Sequence, residues 1–177
     1  AKMTQDVVQA TTTAPEAVTA LLARPVTSSI GWPPGNRTDT KTLSLLQKSG
    51  VRTVALDNAA LLPPTNGGPS GISSAVLRTE SGPLAAVLTD RVLSSSFGNA
   101  ASSANEAVLA RQRFLADSGQ ITIDSPDSER IIALGPDPRW DPNSAVVGDI
   151  LGALRTSPWM RSATLAQLLA ATPKDST

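Results

Sequence analysis

Between Val26 and Asn58 the chain reads VTSSIGWPPGNRTDTKTLSLLQKSGVRTVALDN, and this run leaves little freedom in how it can fold. Val26–Ile30 is a short stretch with β-branched residues at both ends. Gly31-Trp32-Pro33-Pro34-Gly35-Asn36 follows, and with two prolines lacking amide donors it can be neither helix nor central strand. Asp39 or Thr38 is suited to cap the next helix, because a short oxygen-bearing side chain accepts from an amide two or three residues on. Leu43, Leu46 and Gln47 fall on one side of that helix, Leu45 widens the apolar stripe, and Gly50 supplies the left-handed residue on which helices commonly end. Val51–Leu56 is then a nearly continuous apolar run ended by Asp57, the pattern of a strand buried on both faces of a parallel sheet. The whole run reads as one parallel βαβ step. In such sheets ligands sit outside the carboxyl ends of the strands, which directs attention to the Trp32 loop and to Asp57-Asn58.

The flanking chain carries elements of the same kind. Thr13-Ala14-Pro15-Glu16 opens a short helix through Leu22, with proline near its first position, and Arg24-Pro25 terminates it. Leu61–Pro69 is the most turn-rich segment and reads as a surface loop. Ile72–Thr79 and Leu84–Thr89 flank Glu80-Ser81-Gly82-Pro83 as a hairpin whose second arm enters the main sheet and ends at Asp90. Leu93 and Phe97 belong to a short helix or turn closed by Gly98-Asn99. Ser103-Ala104-Asn105-Glu106 is a capping box for a helix to about Ser118, with Ala107, Val108, Phe114 and Leu115 on its apolar side and Gly119 as its stop.

Ile121–Ile123 has strand character without a settled place in the sheet. Arg130–Leu134 reads as the next buried strand, followed by Gly135–Trp140, a second rigid loop bearing tryptophan. Asp141 caps and Pro142 starts a helix ending near Arg155, with Val146, Val147, Ile150, Leu151 and Leu154 toward the core. Thr164 caps a last helix carrying Leu165, Leu168 and Leu169. The predicted organisation is an N-terminal helix and linker over 1–25, one α/β domain over 26–171, and a tail over 172–177. Val26–Ile30, Val51–Leu56, Ala85–Thr89 and Ile131–Leu134 are expected in one mainly parallel sheet, with the hairpin beside it.

Composition narrows the chemistry. With 177 residues and 40% hydrophobic content, the chain suffices for one sizeable core. Fifteen basic and fifteen acidic residues cancel with no run of either sign, so nucleic acid and anionic membrane surfaces are not favoured partners. No stretch approaches the roughly 20 apolar residues of a membrane span, no signal peptide is visible, and no membrane contact is expected. There is no Cys and no His, which removes thiol catalysis, imidazole bases, disulfides and most zinc or iron sites. Any catalysis must therefore use carboxylates, Lys, Arg or hydroxyls, and no cofactor is expected. Trp32, Trp140, Trp159, Phe97 and Phe114 are the only aromatic residues.

Three segments, in order, resemble the later half of the family 57 glycoside hydrolase barrel, an incomplete (β/α)7 barrel acting on α-glucans. Trp32-Pro33-Pro34-Gly35, followed by Leu45–Val51, resembles that family's Trp-x-Pro-Glu motif with its helix and next strand; Gly35 stands in place of the nucleophile Glu. Val87–Gly98 is similar to the strand ending in the general acid, and Asp90 falls on that acid. Ile131–Trp140 is similar to the segment ALDGENAWE, with Gly135 and Pro138 replacing an Asp and an Asn, and Asp137 replacing a Glu. The pattern, with Arg111–Ala116 and Trp140–Pro142, also resembles a family of actinobacterial envelope proteins, whose members carry an export signal and a C-terminal membrane anchor outside the barrel region. The resemblance implies a partial (β/α)7-type barrel, a location outside the cytoplasmic membrane, and a cell-wall glycan or envelope protein as partner.

A retaining glycosidase needs two carboxylates about 5–5.5 Å apart, and Gly35 supplies neither. The catalytic candidates are thus Asp90, Asp57 and Asp137, for which capping of loops and helices is the commoner use. The three also form a conceivable oxygen-only set for Mg²⁺ or Ca²⁺, a reading not adopted. The two-His metal site of polysaccharide deacetylases is excluded. Trp32, Trp140 and Asn58 are the ligand-binding candidates, the two rings either stacking on a ligand or plugging the barrel mouth. Trp159-Met160 reads as core, and Arg111, Arg113 and Arg130 as a solvated face. The expected function is a non-catalytic binding or scaffolding domain of an exported envelope protein, a pseudoenzyme. The alternatives are a residual glycoside hydrolase with relocated carboxylates and a purely structural domain.

Overall fold

The computed structural model describes residues 2–26, 29–61, 73–98, 103–124, 126–127, 129–136, 140–141 and 143–170. The expectations for the turn-rich loop beyond Leu61, for Asn99, Asp137 and Pro142, for the side chain of Phe97 and for the 172–177 tail lie outside the described residues.

Six α-helices and four strands follow in the order α1 (Lys2–Leu22), β1 (Ile30–Gly31), α2 (Thr40–Lys48), β2 (Thr53–Asp57), β3 (Ser74–Thr79), β4 (Gly82–Thr89), α3 (Arg91–Gly98), α4 (Ala104–Asp124), α5 (Ser144–Thr156) and α6 (Leu165–Ala170) among the described residues. The sheet order is β1-β2-β4-β3, with β1, β2 and β4 parallel and β3 antiparallel to β4. This is the expected α/β class with its mainly parallel sheet and its hairpin. The sheet is open, with β1 and β3 at its edges.

The βαβ step forms from local chemistry. The Asp39 carboxylate accepts from the Thr42 amide at 2.7 Å and so caps α2. That bond holds the Asp39 carboxyl below its ordinary value of 3.8. At the other end Gly50 takes φ +95°, and the Val51 amide reaches back to the Leu46 carbonyl at 3.1 Å. Val51 is thereby spent on ending the helix, so β2 begins at Thr53 rather than at the predicted Val51, and it includes Asp57. The first strand is likewise shorter than Val26–Ile30: the ladder is Ile30–Gly31, with the Ser29 carbonyl accepting from Arg52 and Thr53.

Alternate residues of β2 and β4 build the first core. Leu43 of α2 joins Val54, Leu56, Leu84, Ala86 and Leu88 in one buried cluster. Beyond the start of β3 another segment takes its place beside β4. The Leu88 amide donates to Ser73, and two residues on the Asp90 amide donates to the Ala133 carbonyl, each at 2.8 Å. Amides two apart point to the same side of a strand, so Ala133 occupies the slot that β3 has vacated, parallel to Thr89. Arg130–Leu134 therefore contributes a single bridge instead of the predicted strand, because β3 already pairs with β4 from Gly82 to Val87.

The helices depart further from expectation. α1 starts at Lys2 and runs through Pro15, and the hydroxyls of Thr11 and Thr12 donate to the carbonyls of Val7 and Val8 at 2.8 Å, so the threonine-rich stretch satisfies itself within the helix. α4 does not stop at Gly119, and it absorbs Ile121–Ile123. Its buried face is Ala110, Phe114, Ser118 and Ile121, a spacing that bridges the glycine. Val108, expected inside, is 58% exposed. Asn143 rather than Asp141 caps α5, accepting from the Ala145 amide at 2.9 Å. Thr164 and Gln167 form a reciprocal capping box on α6, as expected for Thr164.

A second buried cluster consists of Leu93, Phe114, Ile121 and Ile150, with Ile132, Leu134, Trp140, Val146, Leu154 and Met160 packed against it. Met160 is thus core. Trp159, expected in the core as well, is instead 41% exposed, its indole N–H donating to the Ser118 hydroxyl at 3.2 Å.

Candidate functional site

Parallel strands share a carboxyl end, and there the fold gathers Trp32, Asp57, Asn58, Asp90 and Gly135. Thr89 pairs with Asp57 on one side and with Ala133 on the other, so the strand ends stand in a row. Trp32 leaves β1 and is 45% exposed, its indole N–H donating to the Asn36 side chain. Its ring reaches toward Gly135, where a Cβ would lie 3.3 Å from Trp32 Cζ2 and only 2.4 Å from Thr89 Cγ2. Gly135 is the residue whose lack of a side chain lets the backbone pack directly against Thr89 at the end of β4.

The carboxylates are engaged in holding this rim together. Asp90 is 4% exposed, and its Oδ1 accepts from the Leu93 amide at 2.9 Å. Its carbonyl accepts from Ser94, which makes Asp90 the residue that starts α3. Asp57, also buried, accepts from the Ala59 amide at 2.9 Å through Oδ1, while Oδ2 lies 3.9 Å from Arg91 Nε. Asn58 Oδ1 accepts from the Arg91 amide at 3.4 Å. The Gly135 amide donates to the buried Ser94 hydroxyl at 3.1 Å, and Thr89 Oγ1 donates to the Leu56 carbonyl at 3.2 Å.

Two expected members stand elsewhere. Trp140 packs against the Leu93–Phe114–Ile150 cluster, half-buried among helices. Asp137 lies outside the described residues. Two residues of the rim, Arg91 and Ser94, were not singled out by sequence, and Gly135 stands out there only as the start of the second tryptophan loop and as a replaced Asp, not as a packing position. Arg91 and Ser94 directly follow Asp90 on the first turn of the helix it caps, so their signal was the cap itself. Gly135 gave a weaker signal, a glycine ending an apolar run.

Gly35 sits in a tight 3-10 turn, Pro34–Asn36, with φ +69° and ψ 12°, and nothing lies within 4 Å of where its Cβ would be. Any other side chain there would have open space but a strained left-handed backbone. Chemically, the rim offers a half-exposed aromatic face, the exposed Arg91 guanidinium and the partly exposed Asn58 amide. Among the described residues no group of three or more Asp, Glu, His or Cys side chains is placed to hold a metal ion. None of their helices is long and apolar enough to cross a membrane.

No curated protein and no solved structure matches the chain. Residues 1–177 match the model of DUF6049, a family of unknown function, and the chain belongs to that family.

Proposed function

We propose that this chain is a non-catalytic binding or scaffolding domain of an exported envelope protein, descended from a glycoside hydrolase-like barrel of which its open sheet is a part. The observation that carries this reading is the state of the rim carboxylates. Asp57 and Asp90 are both buried, each spends one oxygen on a backbone amide, and the second oxygen of Asp57 faces Arg91, so neither carboxylate is presented to solvent where a substrate would meet it. A nucleophile or general acid needs an oxygen free to meet substrate, within reach of a partner carboxylate. Gly35, at the position where the resemblance places the nucleophile, takes a backbone conformation that disfavours Glu. Trp32 is then the side chain best suited to contact, presenting nearly half of its surface at the same strand ends that carry Arg91 and Asn58. Aromatic faces flanked by polar hydrogen-bonding groups are what saccharide rings and protein side chains dock on.

A purely structural role is favoured by one feature, the approach of the Trp32 ring to Gly135, which covers the end of β4. The discriminating experiment is a titration of soluble cell-wall glycan fragments into labelled protein, following the Trp32 indole N–H, alongside assays on α-glucans. Binding reading: the indole shifts saturably, Trp32→Ala weakens binding by roughly 2 kcal/mol, and no glucan is hydrolysed. Turnover that disappears in Asp90→Asn would instead make the chain a residual glycosidase. An indole resonance unmoved by every fragment and by candidate envelope proteins would leave the structural role.

A further inference from the structure

Away from the rim, α3 and α4 flank a shallow, half-open cleft of about 200 Å³ lined by Ser95, Ser96, Glu106, Leu109, Ala110 and Arg113. Glu106, Ala110 and Arg113 recur at helical spacing, so a carboxylate and a guanidinium rise from one face of α4, about 10 Å apart along its axis. Between them the lining is apolar and, at Ala110, small. The cleft is thus a short trough with opposite charges at its two ends. Asp117, one turn beyond, lies with a buried Oδ2 4.0 Å from Arg113 Nε, too far to hydrogen-bond it, so the largely exposed guanidinium keeps its donors to spare. On the α3 side stands Ser96, 3% exposed, whose hydroxyl has no hydrogen-bond partner. The neighbouring Ser95 hydroxyl, by contrast, donates to the Val92 carbonyl at 2.7 Å. Buried hydroxyls are rarely left unmet, and one beside an empty cleft marks a place where the fold leaves polar capacity unused.

We propose that this cleft binds a small zwitterion of dipeptide size, with its carboxylate on Arg113, its ammonium on Glu106, its peptide group toward the unpartnered Ser96 hydroxyl and its side-chain methyls over Leu109 and Ala110. The volume admits roughly a dozen non-hydrogen atoms, well short of a drug-sized ligand. The free charges of a dipeptide lie about 7 Å apart. The anchors of Glu106 and Arg113 stand about 10 Å apart, a separation that two long side chains rotating toward each other reduce to that distance, whereas the charges of a single amino acid are too close together to meet both. This site is independent of the Trp32 rim.

The test is a titration of L-alanyl-L-alanine into ¹⁵N-labelled protein. Saturable shifts are expected at the amides of Ser96, Leu109, Ala110 and Arg113. Glu106→Gln and Arg113→Gln, both exposed and expected to fold, should each raise Kd about fivefold, the scale of an exposed ion pair. The same dipeptide with both termini capped should bind more weakly than either variant binds the free one, and Trp32→Ala should leave the titration unchanged. The proposal is overturned by an absence of saturable shifts at about 20 mM, beyond the weakest useful affinity. It is equally overturned by capped peptide binding as well as free, or by an unchanged Kd in both charge variants.

Discussion

At Gly135 a single methyl group has nowhere to go. A Cβ there would stand 2.4 Å from Thr89 Cγ2 and 3.1 Å from Thr89 Cβ, both on a buried residue of β4. Gly135→Ala should therefore destabilise the protein by about 1–3 kcal/mol, the cost of overpacking a well-filled site, measured by urea unfolding. Thr89→Ser removes the offending methyl and keeps the hydroxyl that donates to the Leu56 carbonyl, so the double variant should recover much of that loss. Full additivity of the two changes would show that the contact does not limit the site. Asp90 and Asp39 were legible as caps because their partners lie three residues away. Gly135 was not, since its constraint is a side chain on another strand.

α4 shows what local punctuation misses. A glycine after an apolar stripe is a fair stop signal, yet the stripe of Ala110, Phe114, Ser118 and Ile121 continues across Gly119 because the second core needs Ile121. Packing outweighs the roughly 1 kcal/mol that a mid-helix glycine costs. Nothing lies within 4 Å of a Cβ at Gly119, and its φ is not left-handed. Gly119→Ala should therefore stabilise the protein by roughly 0.5–1 kcal/mol and raise Tm by about 1–4 °C. A lower Tm would mean that the helix is interrupted there after all. β1 errs in the opposite direction: the β-branched stretch suggested five residues, but an edge strand gains ladder bonds only where a neighbour runs alongside. β2 meets it only at Thr53 and Val54. The hairpin was the most legible element, because its two apolar arms and its Gly82, at φ +107°, state the same geometry.

Two apolar clusters divide the molecule, one joining α2 to the sheet and one among α3, α4 and α5. The strand-end rim is the seam between them, fastened by the Asp90–Ala133 backbone bond and the Gly135–Ser94 bond. The sequence presents Trp32 and Trp140 as a matched pair, each after an apolar run and each among prolines. The seam separates them: Trp32 stays half-exposed over the sheet, while Trp140 turns into the helical cluster. Periodicity carries no information on which side of a seam a loop residue falls, so this difference was not readable. Truncation should expose it. Trp140→Ala removes a ring packed against the cluster and should cost about 3 kcal/mol, toward the low end for a tryptophan because it is only half-buried. Hydrogen exchange should then show amides of α3, α4 and α5 losing protection while those of β2 and β4 keep theirs, since the sheet has its own core. Trp32→Ala deletes a ring already nearly half in water and should cost about 1 kcal/mol, with exchange unchanged in both layers. Equal losses from the two variants would mean that Trp32 is a structural plug, and the rim would lose its claim to be a contact surface.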